Sequence, residues 1–176
     1  VIQPKFDFAA NFSLGFALVV EDNQTGFIKK DGSYLVEPVF DSAEGFSEGL
    51  ASVVIDGQPA YINSEGDITV IPTAHEAKHF SEELAKVRIE DKFGFINKDG
   101  KIIIKPEFDK AGDFSGGLAS VKYKNQWGFI DKQGNIVISL NYKSVSNFFG
   151  GLSIVEFLDN SWGYIDKEGK IVWKSA

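Results

Sequence analysis

The pattern F-S-x-G-L-A stands at residues 46–51 and again at residues 114–119, and looser versions begin at Phe12, Phe80 and Phe148. These five phenylalanines are 34 residues apart at every step. A second pattern, aromatic-Ile-x-x-x-Gly, opens at Phe27, Tyr61, Phe95, Phe129 and Tyr164 and repeats with the same period, apart from one step of 35. A fixed period of this size marks a solenoid, propeller or array, because one unit cannot bury its apolar face alone and stacks on its neighbour. Repetition also sorts the residues. Positions kept in every copy serve the scaffold, and positions that vary are where a function is written. The expectation is one repeat domain over residues 1–176, in five units with register markers at Phe12, Phe46, Phe80, Phe114 and Phe148.

The fourth copy shows the local physics. Residues 118–123, Leu-Ala-Ser-Val-Lys-Tyr, alternate as a strand with one buried face does, and this predicts Ala119, Val121 and Tyr123 inward. Ser120 and Lys122 are then outward, on a face that varies among copies. A polar loop leads to Trp127-Gly128-Phe129-Ile130, where adjacent apolar residues point to opposite sides of the sheet and predict a central strand. Gly134 ends a tight turn that needs a positive φ. A third strand follows at residues 136–138, and in other copies a proline (Pro4, Pro38, Pro72, Pro106) is expected to close it. The segment from Phe108 to Phe114 is too short and Gly-rich for a helix and reads as a turn or short fourth strand with two buried Phe. The fold class expected is all-β, each unit a short three-stranded antiparallel meander plus connector.

These residues resemble the WG-repeat family of bacterial proteins, whose pattern is carried here by Trp127-Gly128-Phe129-Ile130-Asp131, by Trp162-Gly163-Tyr164-Ile165-Asp166, by Pro106-Glu107-Phe108-Asp109 and by residues 114–121. The likeness spans essentially the whole chain. It departs at the WG slot of the first three copies, which hold Thr25-Gly26, Pro59-Ala60 and Phe93-Gly94. Trp is thus dispensable there, as a packing residue would be. The resemblance implies an all-β array used as a binding or structural module, with no activity and no ligand of its own.

A propeller-like ring and an open curved β-solenoid both fit five such units. An open array carries polar terminal caps, whereas Val1, Ile2, Phe6 and Phe8 open this chain and Trp173 nearly closes it. Apolar ends are expected of a closed ring, and equally of a processed chain or a piece of a longer one. Val1 falls inside a repeat.

The chemistry candidates are few. His75-Glu76-Ala77-Lys78-His79 is a literal H-E-x-x-H and contains both histidines of the chain. On a helix it would bind zinc with the Glu as general base. Yet His75 occupies the slot of Asp7, Asp41 and Asp109, Phe80 keeps register, and nothing is inserted to make a helix; Glu82 and Glu83 are too near to serve as a usual third ligand. The Asp of F-D-x-A reads as a turn cap through its own backbone, and Asn63, Asn97, Asp131 and Asp166 as caps of the tight turn. Two loops set amides beside a tryptophan, at Asn125-Gln126-Trp127 and at Asn160-Ser161-Trp162. Amides with an aromatic face can hold a sugar; a solvated hairpin beside a packed Trp is the plainer alternative. No phosphate loop, paired carboxylates or G-x-S-x-G stands out, so no catalytic residue, no metal and no cofactor is expected.

Composition closes off other classes. A net charge of −7 lacks the concentrated basic surface that nucleic acid requires, and no segment approaches the ~18 to 20 apolar residues of a membrane span. With no cysteine there is no disulfide framework or thiolate chemistry. Secreted or periplasmic placement is favoured over cytoplasmic. The function expected is a non-enzymatic module for protein–protein interaction or a cell-surface structural role, with a lectin-like glycan-binding array as the alternative and zinc hydrolysis as a remote one.

Overall fold

In a computed structural model of the chain, residues 5–71 and 73–175 are described. Among them are nineteen β-strands and no helix. The described chain divides after Phe80 into two compact units. In the first, β1 (Phe8–Ala9), β2 (Phe16–Glu21), β3 (Gln24–Lys29) and β4 (Tyr34–Phe40) make one four-stranded sheet in chain order. There, too, β5 (Ser42–Ala43), β6 (Leu50–Ile55), β7 (Gln58–Asn63) and β8 (Ile68–Val70) make another. The division falls within β9 (Glu76–Ser81). In the second unit β10 (Leu84–Ile89), β11 (Lys92–Ile96) and β12 (Ile102–Phe108) form a meander. A seven-stranded sheet then runs β13 (Lys110–Ala111), β14 (Ala119–Tyr123), β15 (Gln126–Ile130), β16 (Ile136–Val145), β17 (Ser153–Phe157), β18 (Trp162–Ile165) and β19 (Ile171–Lys174). Every pairing with a described register is antiparallel, for example Val121 opposite Gly128 and Ala111 opposite Val121.

The expected meander is present in each copy, and the connector supplies the short outer strand of the blade. The chain bends at Asp41 and Asp109, where the carboxylate turns to cap a hairpin loop, so β5 and β13 begin afresh. Lys143 fills that slot in the fifth copy, and β16 runs through it, pairing first with β15 and then with β17. That fusion turns two four-stranded blades into one seven-stranded sheet.

In the first, second and fourth copies the hairpin loop between the first and second long strands is two residues long, with both residues left-handed: Asp22 and Asn23, Asp56 and Gly57, Lys124 and Asn125. This is the twist-matched turn that favours Asn and Gly. The F-S-x-G turn is of the same kind, with Gly116 at φ 65° and Gly117 at φ 88°. Its serine, unexplained by sequence alone, donates through Oγ to the carbonyl of the next copy's marker Phe: Ser47 to Phe80 at 2.7 Å, Ser81 to Phe114 and Ser115 to Phe148 at 2.8 Å. Each of those Phe rings also packs on the central aromatic of the preceding copy, Tyr61–Phe80, Phe95–Phe114 and Phe129–Phe148, with centroids 4.8 to 4.9 Å apart. Burying one such ring contributes about 2 to 3 kcal/mol, and the tilted ring pair adds about 1 kcal/mol.

The WG glycine has a steric cause. A Cβ on Gly128 would stand 2.5 Å from the carbonyl oxygen of Ile138, and one on Gly94 2.5 Å from that of Ile104. The third strand bulges against the second here, with the register slipping between Trp127 and Phe129 and between Phe93 and Phe95. Pro38 and Pro106 sit inside β4 and β12 at these bulges and do not end the strands as expected, because a bulged residue has no ladder donor to lose. Pro4 and Pro72 lie outside the described residues.

The inward assignment of the first long strand holds for its first two positions: Ala119 and Val121 are buried, as are Ala17, Val19, Ala51, Val53, Ala85, Val87, Ser153 and Val155. Two expectations need correction. Tyr123 is exposed, because it sits at the hairpin end beyond the core layer. Ser120, assigned outward, is buried, as is Ser52 in the same slot of the second copy; that face meets the next copy's connector, where the Ser120 hydroxyl lies 3.2 Å from Asn147 Oδ1.

Candidate functional site

The second copy departs most from the scaffold, and the chain opens a cleft there. Its WG slot is Pro59-Ala60. Because β8 keeps a regular register against β7, with Ala60 opposite Val70 and Ile62 opposite Ile68, no bulge presses on Ala60 and a methyl group fits. β8 is only three residues long, and the connector strand β9 grows to six. Between β5, β6 and β9 lies a cavity of about 310 Å³ lined by Glu44, Ser52, Pro59, His75, Glu76 and Lys78, all in the first unit.

A charged cluster borders the cleft. Glu44 accepts from the His79 backbone N–H at 3.2 Å and lies 3.2 Å from His79 Nδ1. The Lys78 ammonium pairs with Glu76 at 3.2 Å and with Glu44 at 3.5 Å. Burial pushes the Glu44 carboxyl up, but the His79 hydrogen bond and the Lys78 charge outweigh it and hold the group below its ordinary value. The hydrogen bond to Glu76 holds Lys78 above its ordinary value. Below them the Tyr61 hydroxyl donates to the Lys78 carbonyl at 2.6 Å, and burial pushes its phenol up. The cluster presents both signs of charge in a half-open hollow, which suits recognition of a polar, charged surface.

The H-E-x-x-H motif is thus part of this border, but in extended form. Glu76, Lys78 and His79 are on β9. At ~3.3 Å of rise per residue, four positions separate the backbones of the two histidines by about 13 Å, whereas zinc ligands lie about 2 Å from one ion. The helical face on which the zinc reading depends is absent. Glu82 is engaged otherwise, its carboxylate accepting from the backbone N–H of Gly117 at 2.9 Å and of Gly116.

The two amide-and-tryptophan loops prove unequal. Asn125 is a left-handed turn residue, Gln126 opens β15 opposite Tyr123, and Trp127 is half-buried against the cluster of Phe129, Tyr142 and Val155. In the other loop Asn160 is also left-handed and its amide oxygen accepts from Lys143, but Trp162 is 48% exposed. Beside it the Lys174 ammonium and Ser161 hold the Asp159 carboxyl well below the usual carboxylate range. The turn-cap reading holds at Asp131, which accepts from the N–H of Gln133 and Asn135 at 2.9 and 2.8 Å. The F-D-x-A aspartate caps a different loop from the one expected. Asp7 accepts from Asp22 N–H and Asp41 from Gly57 N–H, in the hairpin some 15 residues on. Sequence reasoning missed the cleft, whose signal was the loss of the WG glycine at Ala60.

The family model for the WG containing repeat matches residues 1–24, 26–58, 60–93, 93–127, 127–160 and 162–173. The chain belongs to the WG-repeat family. No curated protein matches it. Among solved structures it is similar to Hsv2p of Kluyveromyces lactis, at 16% identity and TM-score 0.59, over 98% of this chain and 63% of that one. It is also similar to BamB from Moraxella catarrhalis, at 11% identity and TM-score 0.54, over 92% and 58% of the two chains. The computationally designed Ika8 protein matches at 11% identity and TM-score 0.55, over 95% and 60%. The chain therefore spans about 60% of the length of these structures. They are β-propeller-like, and at such identity they establish the fold class alone. Among the described residues, no helix is long and apolar enough to cross a membrane.

Proposed function

We propose that this WG-repeat chain is a non-enzymatic binding and scaffold module that holds a protein partner through the cleft of its second copy. One observation carries the reading. Residues kept among copies are accounted for by core, turn, bulge and the serine ladder, while the cleft is bordered by residues that no other copy has. Glu44, Glu76, Lys78 and His79 offer a mixed-charge surface over a hollow of protein-side-chain size, which fits a partner loop carrying both signs of charge. A charge reversal at Lys78→Glu combined with Glu44→Lys tests it. Partner capture from a source containing the partner should fall at least tenfold, while the melting temperature of the variant stays near wild type. Undiminished capture by the folded double variant removes the cleft from the interaction.

A glycan reading has one observation in its favour, the exposed Trp162 beside Asn160 and Ser161. Trp127 is packed, so this site stands once rather than repeatedly, and the multivalency that would strengthen weak sugar contacts is reduced. A glycan array probed with tethered protein and with Trp162→Ala decides it; equal signals from both, or none from either, end the reading.

A further inference from the structure

The F-S-x-G turn before β14 holds an anion. Gly116 and Gly117 are successive left-handed residues, with φ 65° and 88°. Consecutive N–H groups in such a turn point into one shallow cradle that suits negative charge. The anion is part of the chain. The carboxylate of Glu82, in the preceding repeat, accepts from Gly116 N–H and from Gly117 N–H at 2.9 Å. The ammonium of Lys132, on the tight turn between β15 and β16, stands 3.6 Å from the same carboxylate. Two backbone donors and one lysine thus hold one glutamate.

One repeat later the cradle and the lysine return, and the glutamate does not. Gly150 and Gly151, before β17, have φ 59° and 84°. Lys167, between β18 and β19, stands in the slot of Lys132, while the slot of Glu82 is filled by Gly116. The Lys167 ammonium lies 2.5 Å from where a Cβ of Gly116 would stand, so it is over the place from which a glutamate would reach the cradle. Among the described residues, the N–H groups of Gly150 and Gly151 have no hydrogen-bond partner, and Lys167 makes no hydrogen bond or ion pair. No atom lies within 4 Å of a Cβ built on either glycine, so the cradle is open. The difference comes from the residue at position 116, inside the chain.

The other junctions show what the lysine is for. Between the second and third repeats the two slots hold Glu48 and Lys98, and between the first and second they hold Leu14 and Ser64. Lysine and glutamate are present together or absent together at these junctions and at that of Glu82 with Lys132. Lys167 alone stands without its glutamate, so an internal ion pair does not account for it.

We propose that Gly150, Gly151 and Lys167 form a binding site for a carboxylate from outside the chain, an aspartate or glutamate side chain of a protein partner. The same cradle one repeat earlier holds a carboxylate, and this decides the chemistry. Charge-assisted hydrogen bonds from backbone N–H and from lysine are the strong kind for such a group. The site uses neither the cleft of the second copy nor its charged residues, so the two readings stand or fall separately.

The test uses the full chain, labelled with nitrogen-15, and follows the amide signals of Gly116, Gly117, Gly150 and Gly151 by NMR at low ionic strength. The probes are acetate, the capped tripeptide acetyl-Gly-Glu-Gly-amide, its Gln counterpart and inorganic phosphate. Acetate and the Glu tripeptide should move the Gly150 and Gly151 signals downfield and saturably, and leave Gly116 and Gly117 in place. The Gln tripeptide should move neither pair. Lys167→Gln should weaken the response about three- to tenfold. Gly116→Glu should abolish it by supplying the carboxylate from within; Leu14, Glu48 and Glu82 hold that slot at φ 49° to 52°, so a side chain is tolerated there. Glu82→Gly should make Gly116 and Gly117 responsive in turn. Melting curves by circular dichroism establish that each variant is folded. Absence of a saturable shift at Gly150 and Gly151 with either carboxylate overturns the proposal, and so does a response that survives Gly116→Glu in a folded protein. Acetate binding without binding of the Glu tripeptide overturns the side-chain source. Saturation by phosphate at concentrations where neither carboxylate binds overturns the proposal too, by assigning the cradle to phosphate.

Discussion

The second and fourth repeats are built on the same antiparallel meander and the same period, each in its own sheet, and at the WG glycine slot they differ by one methyl group. In the fourth, Gly128 has no Cβ, and the third strand bulges into the space that a Cβ would take. In the second, Ala60 has one, and β8 runs straight and ends after three residues. The bulge brings the third strand over its neighbour, and bulged third strands run at least seven residues, as in β4 and β12. Without the bulge the chain leaves the sheet early, β9 lengthens, and the cleft opens beside it. The comparison teaches that the tryptophan for which the motif is named is the replaceable half, since Thr25, Pro59 and Phe93 stand in its slot. The glycine is the constrained half, and its loss is coupled to the architecture of a whole blade.

The largest effect should follow from forcing the fourth repeat to resemble the second. Gly128→Ala puts a methyl 2.5 Å from the Ile138 carbonyl oxygen and 2.7 Å from that of Ser139. Both neighbours are backbone and cannot rotate away, so the strand must move. We expect a loss of about 2 to 4 kcal/mol in denaturant melts. The reverse change, Ala60→Gly, should cost only about 0.5 to 1 kcal/mol, chiefly chain entropy. If the two substitutions prove equal in cost, the bulge is not what selects glycine, and the comparison breaks.

Next in size are two positions at which all repeats should agree. Gly134 has φ 85°, and a Cβ there would stand 3.3 Å from Ile104 Cγ2 of the preceding copy, so Gly134→Val should cost about 1 to 3 kcal/mol. Ala119 is fully buried, and Ala119→Leu overpacks the layer shared with Phe95 and Phe108 for a similar ~1 to 3 kcal/mol. Stability measured by chemical denaturation within ~0.5 kcal/mol of wild type for either would mean that the blades slide apart more easily than their ring contacts suggest.

Much of this was legible in the sequence because the chain repeats it. Five aligned copies show that Gly134 and its counterparts are turn glycines, that Phe129 and Ile130 face both sides of a central strand, and that Asp131 caps its turn. What remained hidden depends on contacts between copies. Ser120 looked outward because alternation within one strand says nothing of the connector that covers it. Tyr123 looked inward because alternation does not mark where a core layer ends. The prolines looked like strand ends because a bulge is a property of two strands. The cleft could not be read at all. It follows from a strand that stops early, and only the exchange of Gly for Ala60 signalled that.

The charged border of the cleft gives a smaller effect, visible in pH dependence. Glu44 is held below the ordinary 4.5 of its kind. A group with a lowered folded value contributes stability that is fully present above the unfolded value and is lost as pH falls through the folded one. The difference in melting temperature between wild type and Glu44→Gln should therefore be fully developed at about pH 5.5. It should shrink as the pH falls below 4.5, as Glu44 itself protonates and releases Lys78 and His79. Other acids titrate equally in both proteins and cancel. A difference that grows on acidification would place Glu44 among groups destabilised by their surroundings and would remove the ion pairs from the account of the cleft.

The smallest effect sharpens the comparison from the fourth repeat's side. Lys122 stands in the slot of Val54, which lines the cleft in the second repeat. In the fourth repeat that slot is half-exposed and flanked by Lys110 and Trp127 on the neighbouring strands. A long basic side chain at such a position can lay its stem along apolar surface and keep its ammonium in water. Removing it sacrifices a little packing and relieves its repulsion with Lys110, and these oppose each other. Lys122→Ala should thus stay within about 0.5 kcal/mol of wild type. A ranking in which Lys122→Ala is worse than Gly134→Val and Ala119→Leu would show that the varied positions of the first long strand support the scaffold. The separation of scaffold from function, by which the cleft was singled out, would then have to be drawn elsewhere.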